Sequence, residues 1–142
     1  MESRPIPKPP VPKAGVPSSV VQVGLPIPPL ERIRLFSPKQ WEEFVYEWAD
    51  SLREEYGDVE ICGGAGDMGR DVIAICPGPD AIWDNYQCKH YGGAITPSEA
   101  WIELGKLVYY TFLGEYTYPR TYYFVAPQGA GTKLSNLLRK PD

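Results

Sequence analysis

Asp71, Gln87 and Lys89 are the residues of this chain whose types and spacing best suit chemistry. Gln87 and Lys89 stand two apart in the run Ile82 to His90. In an extended strand both project to one face, while Cys88 and His90 project to the other. Asp71 opens a second run, Asp71-Val72-Ile73-Ala74-Ile75-Cys76, just after the turn Gly63-Gly64-Ala65-Gly66-Asp67-Met68-Gly69-Arg70, whose glycines let backbone approach a ligand closely. If the two runs pair, a carboxylate, an amide oxygen and an ammonium converge at one end of a sheet. Lysine and aspartate are seldom buried unless paired. Two readings follow: an Asp–Lys ion pair at a strand end, or a site for a divalent cation. A hard cation such as Mg²⁺ takes oxygen ligands, and Asp71, the side-chain oxygen of Gln87 and the backbone carbonyl of Cys88 supply three. Lys89 would then orient or help deprotonate an attacking water, or stabilise charge growing on a phosphate.

The elements that must hold these residues are marked by caps and periodicity. Ser37-Pro38-Lys39-Gln40 combines a capping serine, a proline suited to the first helical position and a capping-box glutamine. Trp41, Phe44, Val45, Trp48 and Leu52 follow at helical spacing, and Gly57 supplies the stop, so this face is expected to be buried. Val59–Cys62, Asp71–Cys76 and Ile82–His90 read as three strands, the second apolar on both faces as in a sheet interior. Thr96-Pro97-Ser98-Glu99 repeats the capping pattern and opens a helix to about Leu113. Thr121–Ala126 is a fourth strand, and a last short helix carries Leu134, Leu137 and Leu138. The expected architecture is α/β, in the order α-β-β-β-α-β-α. A hairpin-linked sheet is followed by a crossover that returns the fourth strand in parallel.

The segment Gly66-Asp67-Met68-Gly69-Arg70-Asp71-Val72, followed by Tyr86-Gln87-Cys88-Lys89-His90-Tyr91, resembles the Mrr-like branch of the PD-(D/E)XK, or restriction-endonuclease-like, nuclease superfamily. That branch has a G-D-x-G-x-D strand entry and a Q-x-K strand in place of E-x-K. Trp41-Glu42-Glu43-Phe44 is similar to the opening of its first helix. The resemblance covers roughly Ser37 to Leu138 and implies a central mixed four-stranded sheet flanked by helices. It makes Asp71 the metal aspartate, Gln87 and Lys89 the Q and K of the strand motif, and Glu42 the helix glutamate facing the metal, with Glu43 as the fallback. It further implies Mg²⁺ or Mn²⁺ as cofactor, DNA and less often RNA as substrate, and an endonuclease effector in a bacterial restriction or anti-phage defence system. Such effectors are often joined to a sensor or targeting domain; a homo-oligomer of this chain is a further partner expectation. Gln87 departs from E-x-K by carrying no charge, so Glu42 would have to compensate; otherwise a catalytically inactive module that binds nucleic acid or a partner protein is implied.

Composition sets the frame. At 142 residues, 43% hydrophobic and 13% aromatic, the chain suits one globular domain. Residues 1–30, with nine prolines from Pro5 to Pro29, read as a proline-rich tail or linker, and 31–142 as the domain. A helical pattern still open at Leu137 and Leu138 suggests a piece of a longer protein. The formal charge of −4 lacks the basic excess usual in nucleic-acid binders. Cys62, Cys76 and Cys88 have no zinc spacing and suit free thiols of a reducing cytoplasm. No run approaches a membrane span or a signal peptide. Asp67 reads as a turn residue or a support for the site, and Arg70 as a phosphate contact or a carboxylate partner. Asp84 and His90 lie off the catalytic face, and Lys106 reads as solvent-facing or a DNA contact. Tyr109, Tyr110, Phe112, Tyr116, Tyr118, Tyr122 and Tyr123 read as core with a possible partner-binding edge. A protein-interaction module built on the tail and these tyrosines is the reading furthest from chemistry. A nucleotide loop at Gly63–Gly69 is disfavoured because it enters a strand and not a helix.

Overall fold

Both capping signals work as the sequence predicts. In the computed structural model, which describes residues 26–140 apart from Arg53, Ala65 and Tyr91, the Ser37 hydroxyl accepts from the Gln40 amide at 3.2 Å and the Gln40 side chain accepts from the Ser37 amide at 2.8 Å. The proline-rich residues 1–25 lie outside the described residues. Helix α1, Pro29–Arg34, precedes the capped helix α2, Pro38–Ser51. Its six residues were not expected, because the run of prolines up to Pro29 read as a tail or linker. Pro29 instead occupies the first helical turn, where no amide donor is needed. The strands are β1 (Asp58–Ile61), β2 (Val72–Ile75) and β3 (Trp83–Cys88); β1 is shifted one residue from the sequence reading, and β2 and β3 are slightly shorter than it suggests. Helix α3, Pro97–Phe112, carries the second capping box at Thr96 and Glu99; β4 (Thr121–Val125) and α4 (Thr132–Arg139) follow.

The result is an α/β architecture with an open, mixed four-stranded sheet in the order β1-β2-β3-β4. β1, β2 and β3 pair antiparallel, and β4 returns parallel to β3 with Gln87 opposite Phe124. One face of the sheet packs against α2. Trp41, Val45 and Ala49 meet Val59, Val72, Ala74, Tyr86 and Cys88 in a buried cluster. This corrects the expected helix phase: Phe44 and Trp48 are 38% and 46% exposed, and Leu52 only half-buried. The i, i+4, i+8 series from Trp41 is the one aimed at the sheet. Phe44 instead stacks on Trp41, and Trp48 meets Tyr86 edge-on at the rim. A smaller cluster, Ile95, Ala100 and Leu134 with Phe124 and Ala126, covers part of the other face.

One further expectation changes, and the reading of Asp84 as lying off the catalytic face stands. Tyr109, Phe112, Tyr118 and Tyr123 are exposed and are not core; only Tyr110, Tyr116 and Tyr122 are half-buried. Asp84 is wholly buried on the α2 side, where it accepts from the Tyr56 hydroxyl at 2.8 Å and pairs with the Arg120 guanidinium. Desolvation alone would raise the Asp84 pKa, but the hydrogen bonds from Arg120 and Tyr56 outweigh it and hold the carboxyl below its usual range. His90 has a structural contact, with its Nε2 2.9 Å from the Ile33 carbonyl of α1. The three cysteines are free, and among the described residues no helix is long and apolar enough to cross a membrane.

Candidate active site

Strand alternation delivers the predicted pair. Trp83, Asn85, Gln87 and Lys89 share the face of β3 away from α2, and Asp71 lies at the mouth of the adjacent β2. The Asp71 carboxylate spans the two strands, its Oδ2 accepting from Gln87 Nε2 at 2.6 Å and from the Cys88 amide at 2.7 Å. Gln87 is buried, and its Oε1 accepts from the Tyr122 hydroxyl on β4 at 2.9 Å. Lys89, one residue past the strand, is mostly buried and donates to Glu103 Oε1 of α3 at 2.6 Å. Asp71, Gln87 and Lys89 thus gather at one end of the sheet. The hydrogen-bond polarity differs from the expectation: Gln87 turns its amide nitrogen, and not its oxygen, toward Asp71.

Glu103 was not found from sequence. It is buried on α3 and accepts from both Lys89 and Lys106, the latter at 3.0 and 3.2 Å. Desolvation raises its pKa, but the two ammoniums more than offset this and keep it below the usual carboxylate range. Its one sequence signal was position: Glu103 follows Ala100 by three on the helix face turned to the sheet. Lys106, left between solvent and DNA, is exposed, while its ammonium reaches Glu103 and its stem runs against the glycine-rich turn. A Cβ at Gly69, where φ is +78°, would stand 2.9 Å from the Lys106 Cβ. The close backbone approach expected of that turn is therefore made to this chain's own lysine.

Charge accumulates around Asp71. Burial pushes its carboxyl up to about 6, and the neighbouring charges of Glu42 and Glu103 add to the shift, while the Cys88 amide and Lys89 oppose it. Glu42 is raised as well, first by desolvation and then by Asp67, with Lys89 opposing. Glu42 thus belongs electrostatically to the site, whereas the fallback Glu43 is exposed and 3.9 Å from Lys39. Asp67 caps its own turn, its Oδ1 accepting from the Gly69 amide at 2.8 Å. Arg70 sits against an aromatic ring and a backbone carbonyl. Its guanidinium lies 4.4 Å over the Tyr116 ring, and its Nε donates to the Asp67 carbonyl at 3.3 Å.

The donor set fits a hard cation in part. Among the described residues no three His, Cys, Asp or Glu side chains form a ready-made ligand cluster. Among the described residues, the hydrogen bonds of Asp71 run through Oδ2 and leave Oδ1 to other partners. The Lys89 amide donates to Val125 on β4 at 2.9 Å, so the Cys88 carbonyl, opposite it in a trans peptide, faces the β2 side where Asp71 lies. Gln87 fits only with its amide turned over. The Tyr122 hydroxyl would support that turn by accepting from nitrogen where it now donates to oxygen. Comparison with family models, with curated proteins and with solved structures yields no match, so the nuclease resemblance rests on the motifs themselves.

Proposed function

We propose that this chain is a Mg²⁺- or Mn²⁺-dependent endonuclease domain of restriction-endonuclease-like type, hydrolysing phosphodiester bonds of DNA. The observation that carries the reading is the Asp71–Gln87 contact across β2 and β3, with Lys89 on the same face at the same end of the sheet. Its charge pattern supports a cation: Asp71 and Glu42 are both pushed toward the protonated form, a cost that a bound divalent ion would relieve. When bound, the metal supplies a water of lowered pKa and neutralises charge on the phosphate. Asp71, the Cys88 carbonyl and the turned Gln87 amide would hold it, with Glu42 adding the charge that Gln87 lacks. Lys89 would hold a phosphate oxygen or the attacking water in place, while Glu103 keeps the ammonium aimed. A role in bacterial restriction or anti-phage defence, joined to a sensor or targeting domain in the cytoplasm, belongs to the same proposal and rests on the motif resemblance.

A catalytically inactive module with the same fold is the second reading. The observation favouring it is that two pairs, Asp71 with Gln87 and Lys89 with Glu103, already hydrogen-bond within the protein. Thermal melting against Mn²⁺ separates the two. The metal site predicts a rise in melting temperature that saturates with Mn²⁺ and disappears in Asp71→Ala. A wild-type melting curve indifferent to Mn²⁺ supports the inactive module.

A further inference from the structure

Helix α3 carries its apolar stripe on the wrong side for a helix of an isolated domain. The side turned to the sheet bears Ala100 and the charged Glu103. The opposite side bears Trp101, Gly105, Val108, Tyr109 and Phe112, spaced by three and four residues along one line. Trp101, Val108, Tyr109 and Phe112 are 66%, 66%, 57% and 87% exposed. We propose that this stripe is the contact surface between two copies of the chain.

Area comes first. Aromatic side chains present about 150–250 Å² each, so Trp101, Tyr109 and Phe112 alone leave on the order of 400 Å² open. The stripe runs on, through Trp101, into an apolar cleft of about 660 Å³ between α3, β4 and α4, whose wall includes the exposed Leu137 and Leu138. The open apolar surface then approaches the roughly 800 Å² per partner of a standard stable interface, beyond the few hundred Å² usual on a monomer.

Symmetry and charge argue for a second copy as the occupant. Gly105 lies midway between Trp101 and Tyr109, and a Cβ built on it meets nothing within 4 Å. A two-fold axis passing over Gly105 would set Trp101 of one copy on Tyr109 of the other, and the missing side chain lets the two helices approach closely. Glu103 and Lys106 are the only charges between Trp101 and Phe112, and each is turned to the other. Identical faces therefore meet without like charges opposed.

Sedimentation equilibrium of the full chain tests this, and its readout is mass and not cleavage, so it stands or falls apart from the nuclease reading. Wild type should shift from monomer toward dimer as concentration rises through the micromolar range. Gly105→Lys and Val108→Asp should each weaken the dimer by at least about a hundredfold, since a two-fold axis counts every substitution twice. Circular dichroism should leave the fold unchanged, because both sites face outward. A single-chain mass at every concentration up to several hundred micromolar overturns the proposal and leaves the stripe to another occupant, such as residues 1–25. A dimer that both variants leave equally tight overturns it too, by placing the interface elsewhere.

Discussion

Replacing Asp71 by asparagine should stabilise the metal-free protein, because the carboxylate is held charged where burial and like charges disfavour it. Burial and the neighbouring glutamates lift its pKa from 3.8 to about 6. At about 1.4 kcal/mol per pKa unit this amounts to at most about 3 kcal/mol. Partial exposure of the group reduces the figure, and we expect about 1–3 kcal/mol. The sign follows from proton binding. Between about pH 4 and 6 the folded Asp71 holds a proton that the unfolded chain has released, so its contribution to wild-type stability falls as pH rises through that window and levels off above it. Asparagine mimics the protonated state at every pH, and its side-chain oxygen can still accept from Gln87 and the Cys88 amide. Urea melts in chelator should therefore show Asp71→Asn more stable than wild type at pH 7.5, with the difference closing near pH 4. Mn²⁺ should reverse the order by stabilising only the wild type. A variant less stable at pH 7.5 in chelator, or a difference that ignores pH, would refute the electrostatic account.

Asp84 should behave in the opposite sense. Its folded pKa is depressed, so Asp84→Asn should cost about 1–3 kcal/mol at neutral pH, reduced by the exposure of Arg120, with the loss shrinking as wild type is acidified below about pH 4. Denaturant melts at both pH values read this directly. Trp41→Ala should cost about 3–5 kcal/mol and Trp48→Ala clearly less, since only the first is buried against the sheet; equal losses in urea would contradict the helix phase. Gly69→Ala should cost about 1–3 kcal/mol by calorimetry, because φ is +78° and the new Cβ meets the Lys106 stem.

The sequence was legible wherever a local rule decides the outcome. Ser37 and Thr96 cap their helices as their neighbours require, and period-two alternation puts Gln87 and Lys89 on one face of β3. The phase of α2 was not legible. Apolar residues at 41, 44, 45, 48, 49 and 52 cover more than one side, and only the sheet selects Trp41, Val45 and Ala49. Glu103 escaped because its burial depends on Lys89, which reaches it from another element. The polarity of the Gln87 amide is set by Tyr122 and Asp71, neighbours brought by two other parts of the chain. The aromatics of α3 read as core because apolar periodicity reports that a face will be covered, not by which molecule.

The nuclease reading is tested most directly by incubating the protein with duplex and single-stranded DNA and RNA in Mg²⁺, Mn²⁺ or chelator, with Lys89→Ala and Asp71→Ala alongside. The account predicts metal-dependent internal cleavage of DNA that both substitutions abolish, with Lys89→Ala still folded and still raised in melting temperature by Mn²⁺. Intact nucleic acid at every metal concentration, or cleavage that survives loss of Lys89 or Asp71, would contradict it.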